Sequence, residues 1–235
     1  MKFMETLQEN KSGYASPKQR EVLIQLTGHP IIRGNFFLTG GTALSVFYLG
    51  HRVSEDLDLF AADPVDLSEI AFWIKTQWPG QSVIIKEAPS FLSFLIREVK
   101  VDLVIDPLSV KEERPKMFFE NGSFLWVDTL SNIVTNKFCA IVSRMEPKDF
   151  IDFYLILQNY PNFEIKDLYQ NSRRKDAIFD DPPTAAYQIE NGIAFIKENP
   201  SLWPQTYIPI DRQLFSEFYQ KIAMWIYGQV TFGGV

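Results

Sequence analysis

The sequence predicts an α+β chain, and three observations predict it. Strand-like segments dominate up to residue 127. From Asp128 onward the apolar period switches to that of helices and stays so. Within the first half, a glycine turn feeds a helix and then a strand bearing Asp56-Leu57-Asp58. The expected domains are 1–127, a mixed α+β core, and 128–235, all helical.

Ser16-Pro17 reads as a helix cap followed by proline at the first helical position. Val22, Leu23 and Leu26 form that helix's apolar stripe, which ends near Gly28-His29-Pro30. Residues 35–38 read as a short buried strand. Gly40-Gly41 then turns the chain into a helix over 42–49, and 56–61 is the carboxylate strand. Asp66-Leu67 opens a helix that stops near Pro79-Gly80. Three strands follow, over 82–86, 91–97 and 100–105. Two more, at 118–119 and 124–127, flank Asn121-Gly122, a strong tight-turn signal. The helices of the second half are expected over 129–144, 148–159, 165–176, 184–197 and 212–227.

Bulk composition narrows the class. With 46% hydrophobic residues among 235, the chain can bury a real core. Its 23 basic against 29 acidic residues give a net charge of −6, which excludes a generic basic coat for nucleic acid. A single cysteine, Cys139, excludes an internal disulfide framework and fits a reducing compartment. The first six residues contain no apolar signal core, and no stretch reaches the length of a membrane span. A cytoplasmic protein with no membrane partner is the expectation.

The chemistry concentrates in two segments. The first is Gly40-Gly41-Thr42-Ala43-Leu44, followed by Leu49-Gly50-His51-Arg52-Val53-Ser54-Glu55-Asp56-Leu57-Asp58-Leu59-Phe60. Side chains alternate along a strand, so Asp56 and Asp58 share a face while Leu57 and Leu59 enter the core. Two carboxylates held side by side repel unless a cation lies between them, and a divalent metal is the usual reason to keep such a pair. Small residues ahead of a helix N-terminus let backbone N–H groups approach a phosphate. The second segment, Val101-Asp102-Leu103-Val104-Ile105-Asp106, supplies a third carboxylate. Asp102 lies mid-strand among apolar residues, where an unpaired acid is costly. Asp106 precedes Pro107 and closes the strand.

These strings resemble the AbiEii/AbiGii-type (type IV toxin) nucleotidyltransferases, a branch of the DNA polymerase β-like superfamily. The likeness is densest over 38–60 and extends loosely through Asp102 and 137–157. A second signature, Lys137…Arg144…Lys148-Asp149-Phe-Ile-Asp152, matches the family's basic-then-acidic helical segment. The resemblance implies a polymerase β-like fold, a small mixed sheet with flanking helices, followed by a helical domain. It implies transfer of a nucleoside monophosphate from an NTP, in members that include toxins acting on tRNA 3′ ends. An antitoxin or operon partner is implied with it. Asp56, Asp58 and Asp102 would then hold two Mg²⁺ (or Mn²⁺) ions, and Asp102 would accept the hydroxyl proton. Gly40, Gly41 and Thr42 would bind phosphate oxygens, with Arg52 and Ser54 beside them. Lys137 would contact phosphates and Asp149 would be the essential helical acid, with Asp152 as its neighbour.

Plainer roles stand beside some of these residues. His51 and His29 form no cluster and are expected to be structural. Lys137 could snorkel from an amphipathic helix, and Asp149 suits a helix N-terminus. Arg173-Arg174-Lys175 is a candidate nucleic-acid contact that fits a solvated helix end better, the phenylalanines read as core with no base-stacking pattern, and Trp225, Tyr227 and Phe232 cover either an interface or the core. The competing functions are small-molecule nucleotidylation and a non-catalytic nucleotide-binding or partner-binding subunit. No motif selects among ATP, GTP, CTP and UTP, or between an RNA and a protein acceptor.

Overall fold

The computed structural model describes residues 7–109 and 111–229. Phe232 and the first six residues lie outside that range. The chain forms two compact units, divided between Ile133 and Val134.

The first unit opens with helix α1 (Pro17–Leu26), where Ser16 accepts from the Gln19 N–H as the cap. Pro30 does more than end this segment. It occupies the first turn of a second short helix, α2 (Pro30–Asn35). Strand β1 (Phe37–Thr39) leads directly into α3 (Gly40–Leu44). The expected helix over 42–49 therefore begins two residues early. Its last turn, Ser45–Leu49, widens so that the Gly50 N–H bonds the Ser45 carbonyl at 3.0 Å.

Strand β2 (Leu57–Ala61) starts just after Asp56, and α4 (Leu67–Gln77) follows, capped by Asp66. Then come β3 (Ser82–Ala88), β4 (Phe91–Ile96), β5 (Val99–Ile105), β6 (Lys116–Phe118) and β7 (Phe124–Val127). They build one mixed sheet in the order β3-β4-β5-β2-β1-β7-β6. Most neighbours are antiparallel, but β2–β5 and β1–β7 run parallel. Alternation buries Leu57, Leu59, Leu92, Phe94, Val101 and Leu103 on one face, with α1 packed on β5 and α4 on β3 and β4. The polar residues of the same strands are thereby set on the opposite face.

The unit boundary falls within helix α5 (Leu130–Ser143). The second unit adds α6 (Pro147–Asn159), α7 (Ile165–Arg173), α8 (Pro182–Glu198) and α9 (Arg212–Tyr227). Its core is aromatic. Phe138 stacks on Phe153 with ring centres 4.8 Å apart, and Tyr219 meets Phe150 edge-on at 5.0 Å. Trp225 packs on Tyr169 within this unit, whereas Tyr227 is exposed and its hydroxyl donates to Glu190 at the surface. Burial pushes the Cys139 thiol up to about 11, so it stays protonated at neutral pH. Phenylalanine is not uniformly core, however. Phe72 and Phe118 are exposed. Among the described residues no helix is long and apolar enough to cross a membrane.

Gly192 on α8 faces the Phe150 ring, and an added Cβ there would stand 2.1 Å from Phe150 Cζ. In an open helix, Gly→Ala stabilises by about 1 kcal/mol. Here overpacking reverses the sign, and Gly192→Ala is expected to lose about 1–2 kcal/mol. A shifted urea midpoint with an unchanged slope checks this.

Candidate active site

Asp58 on β2 and Asp102 on β5 are direct register partners. The parallel pairing also sets Leu57 against Val101, so Lys100 lies beside Asp56 on the same face. Four side chains thus form a rectangle across two strands: Asp56 and Asp58 on one edge, Lys100 and Asp102 on the other. The Lys100 ammonium is 2.8 Å from Asp102 Oδ2 and 3.9 Å from Asp56 Oδ2. Ser93, the register partner of Asp102 on β4, donates its hydroxyl to Asp102 Oδ1 at 2.5 Å. Partial burial works against the Lys100 charge, but Asp102, Asp56 and Asp58 outweigh it and raise its pKa. Asp106 lies past the end of β5. Its carboxylate accepts from the Leu108 N–H and the Ser109 hydroxyl and caps a turn.

The glycine turn closes over this rectangle. Gly40 has φ +67°, and a Cβ there would stand 2.3 Å from Asp58 Oδ2. A Cβ on Gly41 would stand 2.7 Å from an Arg52 guanidinium nitrogen and 2.8 Å from Ser54 Oγ. Arg52 and Ser54 are both buried. Both glycines therefore permit a close approach of backbone to the side chains of Asp58, Arg52 and Ser54. The Thr42 hydroxyl donates to the Asp56 carbonyl and so anchors the entry to the carboxylate strand.

Two supports were not visible as motifs. The Gln19 amide on α1 donates to the carbonyls of Ser54 and Glu55 at 3.0 and 2.9 Å and holds the approach to Asp56. Asp128, fully buried, accepts from the Thr39 hydroxyl, the Asn132 amide and Arg114 at 2.6, 2.8 and 3.1 Å. Burial raises its pKa against those donors. Thr39 is itself the register partner of Asp58 and precedes the glycine turn. No local spacing signals these contacts, which span 35 and 89 positions. Lys100 had a signal, since it shares Asp102's alternation phase.

The residues suit a divalent metal in kind. All three acids offer hard oxygen ligands, and with Lys100 the rectangle carries a net charge of −2, by formal counting of three acids against one ammonium. Among the described residues, no group of three or more acidic, histidine or cysteine side chains is arranged to hold a metal ion by itself. Mg²⁺ commonly needs only one or two carboxylates, with substrate phosphates completing its shell. Of the histidines, His51 is buried, and His29 stacks edge-on against Trp73 at 4.8 Å.

The second signature folds into a buried charge network within the helical unit. The Lys137 ammonium lies 2.8 Å from Asp149 Oδ1 and 2.7 Å from Asp152 Oδ2. Arg144 grips Asp149 with two nitrogens at 2.7 and 3.0 Å. Lys137 is only 7% exposed, whereas Arg144 is 51% exposed. Burial alone would raise the Asp149 pKa, but Lys137 and Arg144 together hold it below the usual carboxylate range. Of this basic run, Arg173 pairs with Asp180 and Lys175 bonds the Asn136 side chain, both inside the same unit, while Arg174 is exposed.

Residues 24–218 match the family model described as "Nucleotidyl transferase AbiEii toxin, Type IV TA system". Among solved structures, the chain is similar to a nucleotidyltransferase candidate from H. pylori, with TM-score 0.54 and 17% identity over 91% of this chain and 96% of that one. It is similar to JHP933 from Helicobacter pylori with the same score and identity, over 91% and 94%. At that identity the likeness shows the fold. No curated protein matches the chain in sequence.

Because breaking a buried ion pair strands a charge, Lys137→Met is expected to cost about 3–5 kcal/mol of stability at pH 7. The Asp149 contribution has a definite sign. Its folded pKa is depressed, so its stabilisation is full above about pH 4 and fades as pH falls through the lower folded value. Urea unfolding of wild type and Asp149→Asn should show a gap at pH 7 that narrows at pH 3.

Proposed function

Since the chain belongs to the AbiEii nucleotidyltransferase toxin family, we propose that it moves a nucleoside monophosphate from an NTP to a hydroxyl of a tRNA-like RNA. The observation that carries this is the Asp58–Asp102 register pair with Gly40 backed onto Asp58 Oδ2. That arrangement puts a phosphate-compatible backbone turn next to paired oxygen ligands.

In this reading the triphosphate lies along the turn, against the backbone N–H groups of Gly40, Gly41 and Thr42. Arg52 and Ser54, packed behind Gly41, brace the turn and add positive charge and a hydroxyl. Mg²⁺ or Mn²⁺ held by Asp56, Asp58 and Asp102 would supply charge neutralisation at the phosphoryl oxygens and acidify the attacking hydroxyl. The acceptor oxygen forms a bond to the α-phosphorus while the bond to the bridging oxygen breaks, and pyrophosphate leaves. Asp102 takes the hydroxyl proton, with Ser93 keeping its other oxygen oriented.

For the helical unit, the matching segment suggests Lys137 as a cation that neutralises phosphate charge, with Asp149 and Asp152 fixing its ammonium. Cellular NTP and tRNA pools put this activity in the cytoplasm. As a type IV toxin-family member, the protein would be opposed by an antitoxin from its own operon.

The test is incubation with each α-³²P-labelled NTP, Mg²⁺ and total bacterial RNA. Label is expected in the tRNA band with wild type and absent with Asp58→Asn, whose circular dichroism should match wild type. Label in the Asp58→Asn lane would refute the carboxylate scheme. Label on protein would keep the chemistry and replace the acceptor.

A further inference from the structure

The rectangle holds its own cation. Three carboxylates project from adjacent strands about 4.8 Å apart, and Lys100 is the fourth corner. Both Asp102 oxygens are engaged: Oδ1 by the Ser93 hydroxyl at 2.5 Å and Oδ2 by the ammonium at 2.8 Å. The same ammonium stands 3.9 Å from Asp56 Oδ2 and spans the two strands. A divalent ion drawn to Asp102 Oδ2 would meet a positive charge already in its place, and two cations on one oxygen repel strongly. Lys100 is able to leave, being 42% exposed on a flexible four-carbon stem. Ser93 is not displaced by the same event, because it holds the other oxygen.

We propose that Lys100 is a built-in counter-ion that occupies the carboxylate rectangle before metal arrives and is displaced when a divalent ion binds. This rests on Asp56, Asp58 and Asp102 being the metal-holding set. Lys100 relieves repulsion in the metal-free protein, and the same contact sets the metal concentration at which the site loads. Removing the ammonium should weaken the empty site and tighten its hold on metal, which an ordinary supporting ion pair would not do.

Two readouts at constant pH test this, neither depending on activity. Free Mn²⁺ measured by electron paramagnetic resonance gives the affinity of wild type, Lys100→Met and Asp58→Asn. Lys100→Met should bind Mn²⁺ at least about fivefold more tightly than wild type, since one nearby like charge is gone. In wild type, acetylation of Lys100 by acetic anhydride, read by peptide mass spectrometry, should accelerate on adding Mg²⁺. An unchanged or weaker Mn²⁺ affinity in Lys100→Met overturns the proposal, and so does an acetylation rate that ignores Mg²⁺. Should Lys100→Met fail to fold, the wild-type labelling decides alone. Failure of the underlying reading looks different: wild type then binds no Mn²⁺, or Asp58→Asn binds as well as wild type.

Discussion

The parallel pairing of β2 with β5 is the constraint on which the candidate site depends. Asp58 faces Asp102, and Lys100 lies beside Asp56, only because Leu57 is opposite Val101. A slip of one residue in either strand would send that strand's polar groups into the face that buries Leu57, Leu59, Val101 and Leu103. The hydrophobic core and the carboxylate set therefore enforce the same register from opposite sides of the sheet. Parallel strands cannot be joined by a tight turn, and here α4 and the β3–β4 hairpin make the crossover. The order β3-β4-β5-β2-β1 follows, and β1 then delivers the glycine turn to the edge of Asp58.

The helical unit solves a different electrostatic problem. Lys137, Asp149 and Asp152 are all but removed from water, and Arg144 covers the outer side of Asp149. Each charge there is tolerable only because the others are present, so the set behaves as a unit. Removing one member costs more than the network's net contribution, because the charge left behind stays buried. A loss of function on changing any member has two possible origins, structural and chemical, and folding measurements separate them.

Much of this was legible in the sequence where the cause is local. Strand alternation puts Asp56, Asp58 and Asp102 on one kind of face, and the switch of period at Asp128 marks the helical half. Helix caps at Ser16 and Asp66 read directly. What escaped is non-local or doubly interpretable. Pro30 reads equally as an end and as a beginning, and only the following turn decides. Asp128 looks like a helix lead-in, yet its carboxylate meets Thr39 across 89 positions. The Thr42 hydroxyl reaches the Asp56 carbonyl across 14 positions, which no local spacing announces. Lys100 carried the right phase all along. A lysine near a strand end is so often solvated that alternation alone does not single it out.

The glycine turn also has a consequence for how such a protein can change over generations. At Gly40 and Gly41 the site is encoded by missing atoms, since any side chain would intrude on Asp58 or on Arg52 and Ser54. Every substitution there begins by adding the same carbon, so its chemical character hardly matters. Positions of that kind cannot be tuned by degrees. They act as fixed points, and selection that reshapes the choice of nucleotide or acceptor must work through surrounding residues whose side chains offer graded alternatives.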